Sequence, residues 1–235
     1  MDRKNNKLFQ IGVNEIEALT DASLWNYATF RDYCFNFSYK LEGGKVYGII
    51  CECGAGGWAL SYTLAGRQKH FNGTITINGD EVDDKILAKS SCYVGEGVIE
   101  EKGLFGYKNA IIKQIENGVK TGKSKCHTSA DVIKLFNLED EISRLNRNIY
   151  KISNFRWLAS IAVGYSYGKM IYCFPWLNTG WIKFVRNQID RCFEVLKDEG
   201  AIILIPTPKL DSVTDIVDDV IYINDSFEGI KINEK

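Results

Sequence analysis

Lys45-Val-Tyr-Gly-Ile-Ile-Cys51 runs into Glu52-Cys53-Gly54-Ala55-Gly56-Gly57, and then into Trp58-Ala-Leu-Ser-Tyr-Thr-Leu-Ala65 before Gly66. The first stretch is a β-branched and aromatic run of strand length. The second is the turn that follows it, its glycines supplying the unusual φ values a tight connection needs. The third reads as a short helix stopped by Gly66. Outward from this unit the same alternation continues. Thr74-Ile-Thr-Ile77 meets the tight turn Asn78-Gly79, and Ser91-Cys-Tyr-Val94 is closed by Gly95. Lys169–Phe174, Ala201–Ile205 and Val220–Ile223 are further strands. The Ala201–Ile205 run is apolar throughout, as in a strand buried on both faces of a parallel sheet. Ile182, Val185, Ile189, Cys192, Phe193 and Leu196 make one helical stripe ending at Gly200, with Lys197 near its C-terminus. Strands alternating with helices predict an α/β domain.

Between Glu100 and Asn148 the texture changes. Ile111, Ile112 and Ile115, then Val132, Ile133, Leu135, Phe136 and Leu138, have helical spacing, joined by a polar link from Gly118 to Ser129. This predicts a helical insertion whose second helix is capped by Thr128 or Ser129. No internal repeat or low-complexity stretch interrupts the 235 residues.

Composition removes several function classes. With 29 basic and 30 acidic side chains the net charge is −1, so nothing favours long-range attraction to nucleic acid or anionic lipid. No apolar run approaches the ~18 residues that span a bilayer, and Met1–Lys7 lacks the apolar stretch of a signal peptide. A soluble cytosolic protein is expected. The seven cysteines are scattered, which suits buried reduced thiols, and Cys51-Glu-Cys53 alone does not have the spacing of a zinc site.

The order of elements then gives a resemblance. Phe35 to Ala59, Leu64-Ala-Gly66 and Asn72-Gly-Thr-Ile-Thr-Ile-Asn-Gly79 resemble the opening of an ATP-binding cassette (ABC) nucleotide-binding domain. That family reads strand, G-x-x-G-x-G-K-[ST], helix, L-x-G and a G-x-I-x-x-x-G hairpin. The resemblance extends from about Phe35 to Asn224. It implies a P-loop NTPase-like α/β core with an antiparallel β subdomain and an inserted helical subdomain. Residues 1–235 would be one domain, with 1–97 and 156–235 as the core and 98–155 as the helical part.

Residue by residue, the resemblance implies a degenerate site. A phosphate loop works through backbone N–H groups, a lysine and a magnesium-binding hydroxyl. Gly54, Ala55 and Gly56 keep the loop, while Cys51 takes the first glycine's place, Gly57 the lysine's and Trp58 the hydroxyl's. The Q-loop glutamine falls on Glu96. The signature L-S-G-G-Q falls on Ile152-Ser153-Asn154-Phe155-Arg156, and only Ser153 survives. The Walker B acid and the general base fall on Phe174 and Pro175. The D-loop aspartate aligns with Trp181 and the switch histidine with Pro208. Phosphoryl transfer depends almost wholly on positioning and electrostatics, so losing these groups together predicts no ATP hydrolysis.

The resemblance therefore implies a non-catalytic cassette subunit of a bacterial ABC transporter, peripheral on the inner face of the cell membrane through a permease. A second cassette subunit, as heterodimer or homodimer, would be its other partner. Trp58, as a bulky ring at the loop's mouth, is expected on one face with Phe155, Trp176 and Trp181, facing that second cassette. Leu104 and Phe105, just after the Q-loop position, are the expected permease contact. No cofactor is expected. Mg-ATP enters only under an alternative, an atypical nucleotide site using Trp25 or Tyr27 for stacking and completed by a partner. A freestanding regulatory or scaffold protein is the third reading.

Overall fold

A computed structural model describes residues 8–20, 31–103, 106–107 and 109–223. An antiparallel sheet contains β1 (Gln10–Thr20), β2 (Asp32–Glu42), β4 (Asn72–Ile77) and β5 (Asp80–Glu81), in the order β2-β1-β4-β5. A parallel sheet contains β3 (Lys45–Ile50), β6 (Ser91–Tyr93), β9 (Ile171–Cys173), β10 (Ile202–Thr207) and β11 (Asp219–Tyr222), in the order β11-β3-β10-β9-β6. A small ribbon pairs β7 (Lys102–Gly103) with β8 (Gly106–Tyr107). The helices are α1 (Gly57–Leu64), α2 (Asp84–Ser90), α3 (Ile111–Lys120), α4 (Ser129–Leu135), α5 (Ile142–Leu145), α6 (Arg156–Ser166) and α7 (Thr179–Asp198).

The parallel sheet divides the interior in two, and side-chain parity decides which half each residue joins. On β10, Ile202 and Leu204 face α1 and the antiparallel sheet, whereas Ile203 and Ile205 face the helices on the other side. On β9, Ile171 and Cys173 share the α1 side, with Tyr172 opposite them. Every residue of β10 is buried, which accounts for its apolar run from Ile202 to Pro206. The buried α7 stripe of Ile182, Val185, Ile189, Cys192, Phe193 and Leu196 packs on the far side, each large side chain stabilising by about 1.5–3 kcal/mol relative to exposure. α3, α4 and α6 complete that half.

Local signals act as the sequence predicts at several ends. Thr128 caps α4 in a capping box with Asp131, so the choice between Thr128 and Ser129 falls to the former. Asn178 accepts from the Trp181 amide at 3.0 Å and starts α7 earlier than the apolar stripe alone indicates. Ser153 and Asn154 do not cap α6. They form a tight turn, Ser153 at φ 48, and Phe155 precedes the helix with no side-chain cap. Five of the seven cysteines are buried, while Cys53 is exposed and Cys126 half-buried.

Candidate functional site

The connection from β3 to α1 is a glycine loop pressed against the start of β2. Gly54 and Gly56 have φ of 96 and 104. A Cβ on Gly56 would lie 2.6 Å from the Cys34 α-carbon and from the Tyr33 carbonyl oxygen, so only glycine fits. Gly56 has no side chain with which to cap α1. The first-turn amides are instead met from β2. The Gly56 N–H donates to Asp32 Oδ1 at 3.0 Å and the Ala59 N–H to Oδ2 at 2.6 Å. Burial raises the pKa of this carboxyl, opposed by the backbone amides of Ala59, Gly56, Trp58 and Gly54. Sequence reading missed Asp32. It stands more than twenty residues before the loop, and nothing local to it signals a role there.

Gly57 has an ordinary helical backbone, yet no room for a side chain. A Cβ there would lie 2.2 Å from Cys51 Sγ, with Ile49 Cγ2 at 3.3 Å and Pro206 Cβ at 3.4 Å behind it. The Cys51 sulfur thus fills the space that the Cβ of any side chain at 57 would take. Burial pushes the Cys51 thiol up to about 12, so it behaves here as an apolar filler.

Trp58 is not at the mouth of the loop. Its ring is 2% exposed and turned inward, where Nε1–H donates to the Tyr93 hydroxyl at 2.7 Å. Tyr62 packs edge-on to both rings, with centroids 6.2 Å from Trp58 and 5.3 Å from Tyr93. Position 58, which the resemblance aligns with a magnesium-binding hydroxyl, therefore belongs to a buried aromatic cluster.

Phe174 lies at the C-terminal end of β9. Its parity sends the ring away from the loop, between Trp157 of α6, stacked at 6.3 Å, and Phe193 of α7 at 6.1 Å. Only its backbone returns to α1, where Ser61 Oγ donates to the Phe174 carbonyl at 2.5 Å. Pro175 is buried and Pro208 half-buried. Trp176 Nε1–H donates to the Cys51 carbonyl at 3.1 Å, tying the end of β9 to the loop. Trp181 lies half-buried on α7, edge-on to Phe184 at 6.0 Å. The expected shared aromatic face is thus corrected. Trp58 and Phe155 are core side chains, and only Trp176 and Trp181 retain partial exposure.

Glu96 and Arg156 come together electrostatically. Burial lowers the Arg156 guanidinium to about 10, opposed by the nearby Glu96 carboxylate and, more weakly, by Tyr150. Arg67 reaches the same turn, its Nη2 donating to the Gly97 carbonyl at 2.9 Å. Exposed Ser153 and half-buried Asn154 border an open groove of about 410 Å³, together with Arg144, Arg147, Lys151 and Phe184. Leu104 and Phe105, and likewise Trp25 and Tyr27, lie outside the described residues.

These groups do not fit Mg-ATP in a phosphate-loop pose. The lysine's direction is closed by Cys51, the hydroxyl's by an indole in the core, and the first-turn amides already serve Asp32. At the end of β9, Phe174 and Pro175 stand at the positions where the resemblance expects a metal-organising acid and a base.

No protein-family model and no curated protein matches the sequence. Solved structures do match it. One is cbiO1 from Clostridium perfringens, part of the ABC transporter complex cbiONQ. It is 15% identical, with 92% of this chain and 84% of that chain covered and a TM-score of 0.62. A second is a putative ABC transporter ATP-binding protein from Pyrococcus furiosus, 14% identical, covering 91% and 97% with a TM-score of 0.59. A third is the ADP conformation of an ATP-binding cassette of an ABC transporter, 13% identical, covering 94% and 89% with a TM-score of 0.60. At these identities the likeness is one of fold. The chain has the architecture of an ABC ATP-binding cassette, a mixed α/β core with an antiparallel and a parallel sheet.

Proposed function

We propose that this chain is a non-catalytic nucleotide-binding-domain subunit of a bacterial ABC transporter, pairing with a competent ATPase subunit and docking a permease. The observation that carries the reading is the closure of position 57. Cys51 Sγ would stand 2.2 Å from any Cβ there, so the loop lacks a lysine and also the space for one. A charge-assisted hydrogen bond of the kind a lysine makes to phosphate is worth about 1.5–3 kcal/mol, and this loop forgoes all of them. The indole at 58 and the benzyl group at 174 remove metal ligation in the same direction.

In this reading residues 98–155 are the helical subdomain, and Leu104 and Phe105 belong to the permease contact. Among the described residues no helix is long and apolar enough to cross a membrane, so attachment to the inner face would come through the permease. Calorimetric titration and an ATPase assay on the purified chain test the proposal. No Mg-ATP heat and no turnover above a Gly56→Val control are expected. Micromolar Mg-ATP affinity, or turnover abolished by that control, would refute it. Co-expression with a permease and an intact cassette from the same genome should recover this chain in a membrane complex, and failure to assemble with either counts against the partner assignment.

A further inference from the structure

The loop carries an anion of its own. Asp32, the first residue of β2, is 1% exposed. Its two oxygens divide between the loop and the helix, Oδ1 taking the Gly56 amide at 3.0 Å and Oδ2 the Ala59 amide at 2.6 Å. Burial raises the pKa of this carboxyl, and the amides of Ala59, Gly56, Trp58 and Gly54 oppose that rise. Converging backbone donors at a helix start are the arrangement that elsewhere takes a phosphate group. The carboxylate is delivered by backbone seated directly on the loop. Tyr33 N–H donates to the Gly54 carbonyl at 3.4 Å, and Gly56 has no Cβ space because Cys34 and Tyr33 are against it.

We propose that Asp32 is the resident anion of this loop, occupying with the chain's own carboxylate the donors that would hold a nucleotide phosphate. The loop is thereby both formed and closed without nucleotide. This rests on reading residues 54–58 as a phosphate-type loop, and it deepens the non-catalytic assignment by naming what fills the site. A free phosphate has to displace a group of like charge that is tethered at an effective concentration of about millimolar or more. With no lysine to favour the incoming anion, the tethered group wins.

The test is thermal unfolding of the full chain, wild type against Asp32→Ala, titrated with inorganic phosphate and with chloride at matched ionic strength. Asp32→Ala should have a lower Tm than the wild type and regain about 3–6 °C at phosphate about ten times its dissociation constant. The wild type should respond to phosphate no more than to chloride. Amide NMR shifts at Gly54, Gly56 and Ala59 should follow phosphate saturably in the variant only. Equal phosphate responses in both proteins, or no saturable response in the variant, would overturn the proposal. If Asp32→Ala does not fold, Asp32→Asn, which keeps a neutral acceptor, is titrated with the same two deciding outcomes. A silent variant beside a wild type that neither binds nor hydrolyses Mg-ATP sinks the resident anion alone. Mg-ATP turnover by the wild type sinks the non-catalytic reading.

Discussion

Replacing Gly57 by alanine isolates the steric closure of the loop in one methyl group. Ordinary carbon contacts lie at about 3.5–4.0 Å, so a Cβ at 2.2 Å from Cys51 Sγ requires a shift of more than an ångström. The sulfur is buried, with Ile49 and Pro206 closing the other sides. Overpacking of this sort costs about 1–3 kcal/mol, offset by about 0.5–1 kcal/mol because alanine is the better helix residue. The net expectation is a loss centred near 1 kcal/mol and reaching about 2.5 kcal/mol, or about 2–10 °C in Tm for a chain of this size. In a Cys51→Ala background the clash is gone, and the same substitution should be neutral or stabilising. Cys51→Ala alone should cost roughly 1 kcal/mol for the lost sulfur packing. Urea unfolding of the four proteins, with unchanged m-values, gives a double-mutant cycle whose coupling should be about 1–3 kcal/mol. If Gly57→Ala is harmless in the wild-type background, or equally harmful without the sulfur, Cys51 does not close the lysine position. The closure argument then fails. If the cycle behaves as expected, Gly57→Lys alone cannot restore nucleotide binding.

Two further outcomes follow from the same region. Trp58→Phe removes the indole N–H that donates to the buried Tyr93 hydroxyl and should cost about 1–3 kcal/mol in urea unfolding, most of it recovered when Tyr93→Phe removes the acceptor as well. An aromatic thiol reagent at mildly alkaline pH should label Cys53 first and Cys126 next. Burial pushes the thiols of Cys34, Cys51, Cys92 and Cys192 up to about 12, so their thiolate fraction stays negligible until pH approaches that value or the chain unfolds. Rapid labelling of Cys51 in the native chain, followed by mass spectrometry of peptides, would contradict the packing at Gly57.

Much of the architecture is legible because it is written locally. Strand-length apolar runs, the α7 stripe, the Thr128 cap and the glycine loop each depend on residues a few positions apart, and the structure keeps them. The expected aromatic face failed for the opposite reason. Which way an indole or benzyl ring points is set by helix phase and strand parity against elements distant in the chain. Trp58 thus entered a cluster with Tyr93, and Phe155 became a core side chain.

By itself the amino-acid order determined that a glycine loop could form, and that Gly57, Trp58, Phe174 and Pro175 stand at the positions the resemblance assigns to a lysine, a hydroxyl and two acids. Those are facts of residue identity and short-range spacing. Only the tertiary structure decided what took their place. Asp32 meets the Gly56 and Ala59 amides because β2 lies against the loop, and Cys51 fills the space beside Gly57 because the chain turns back on itself there. Both outcomes depend on atoms brought within bonding or contact distance by packing, and residue type alone does not encode that distance.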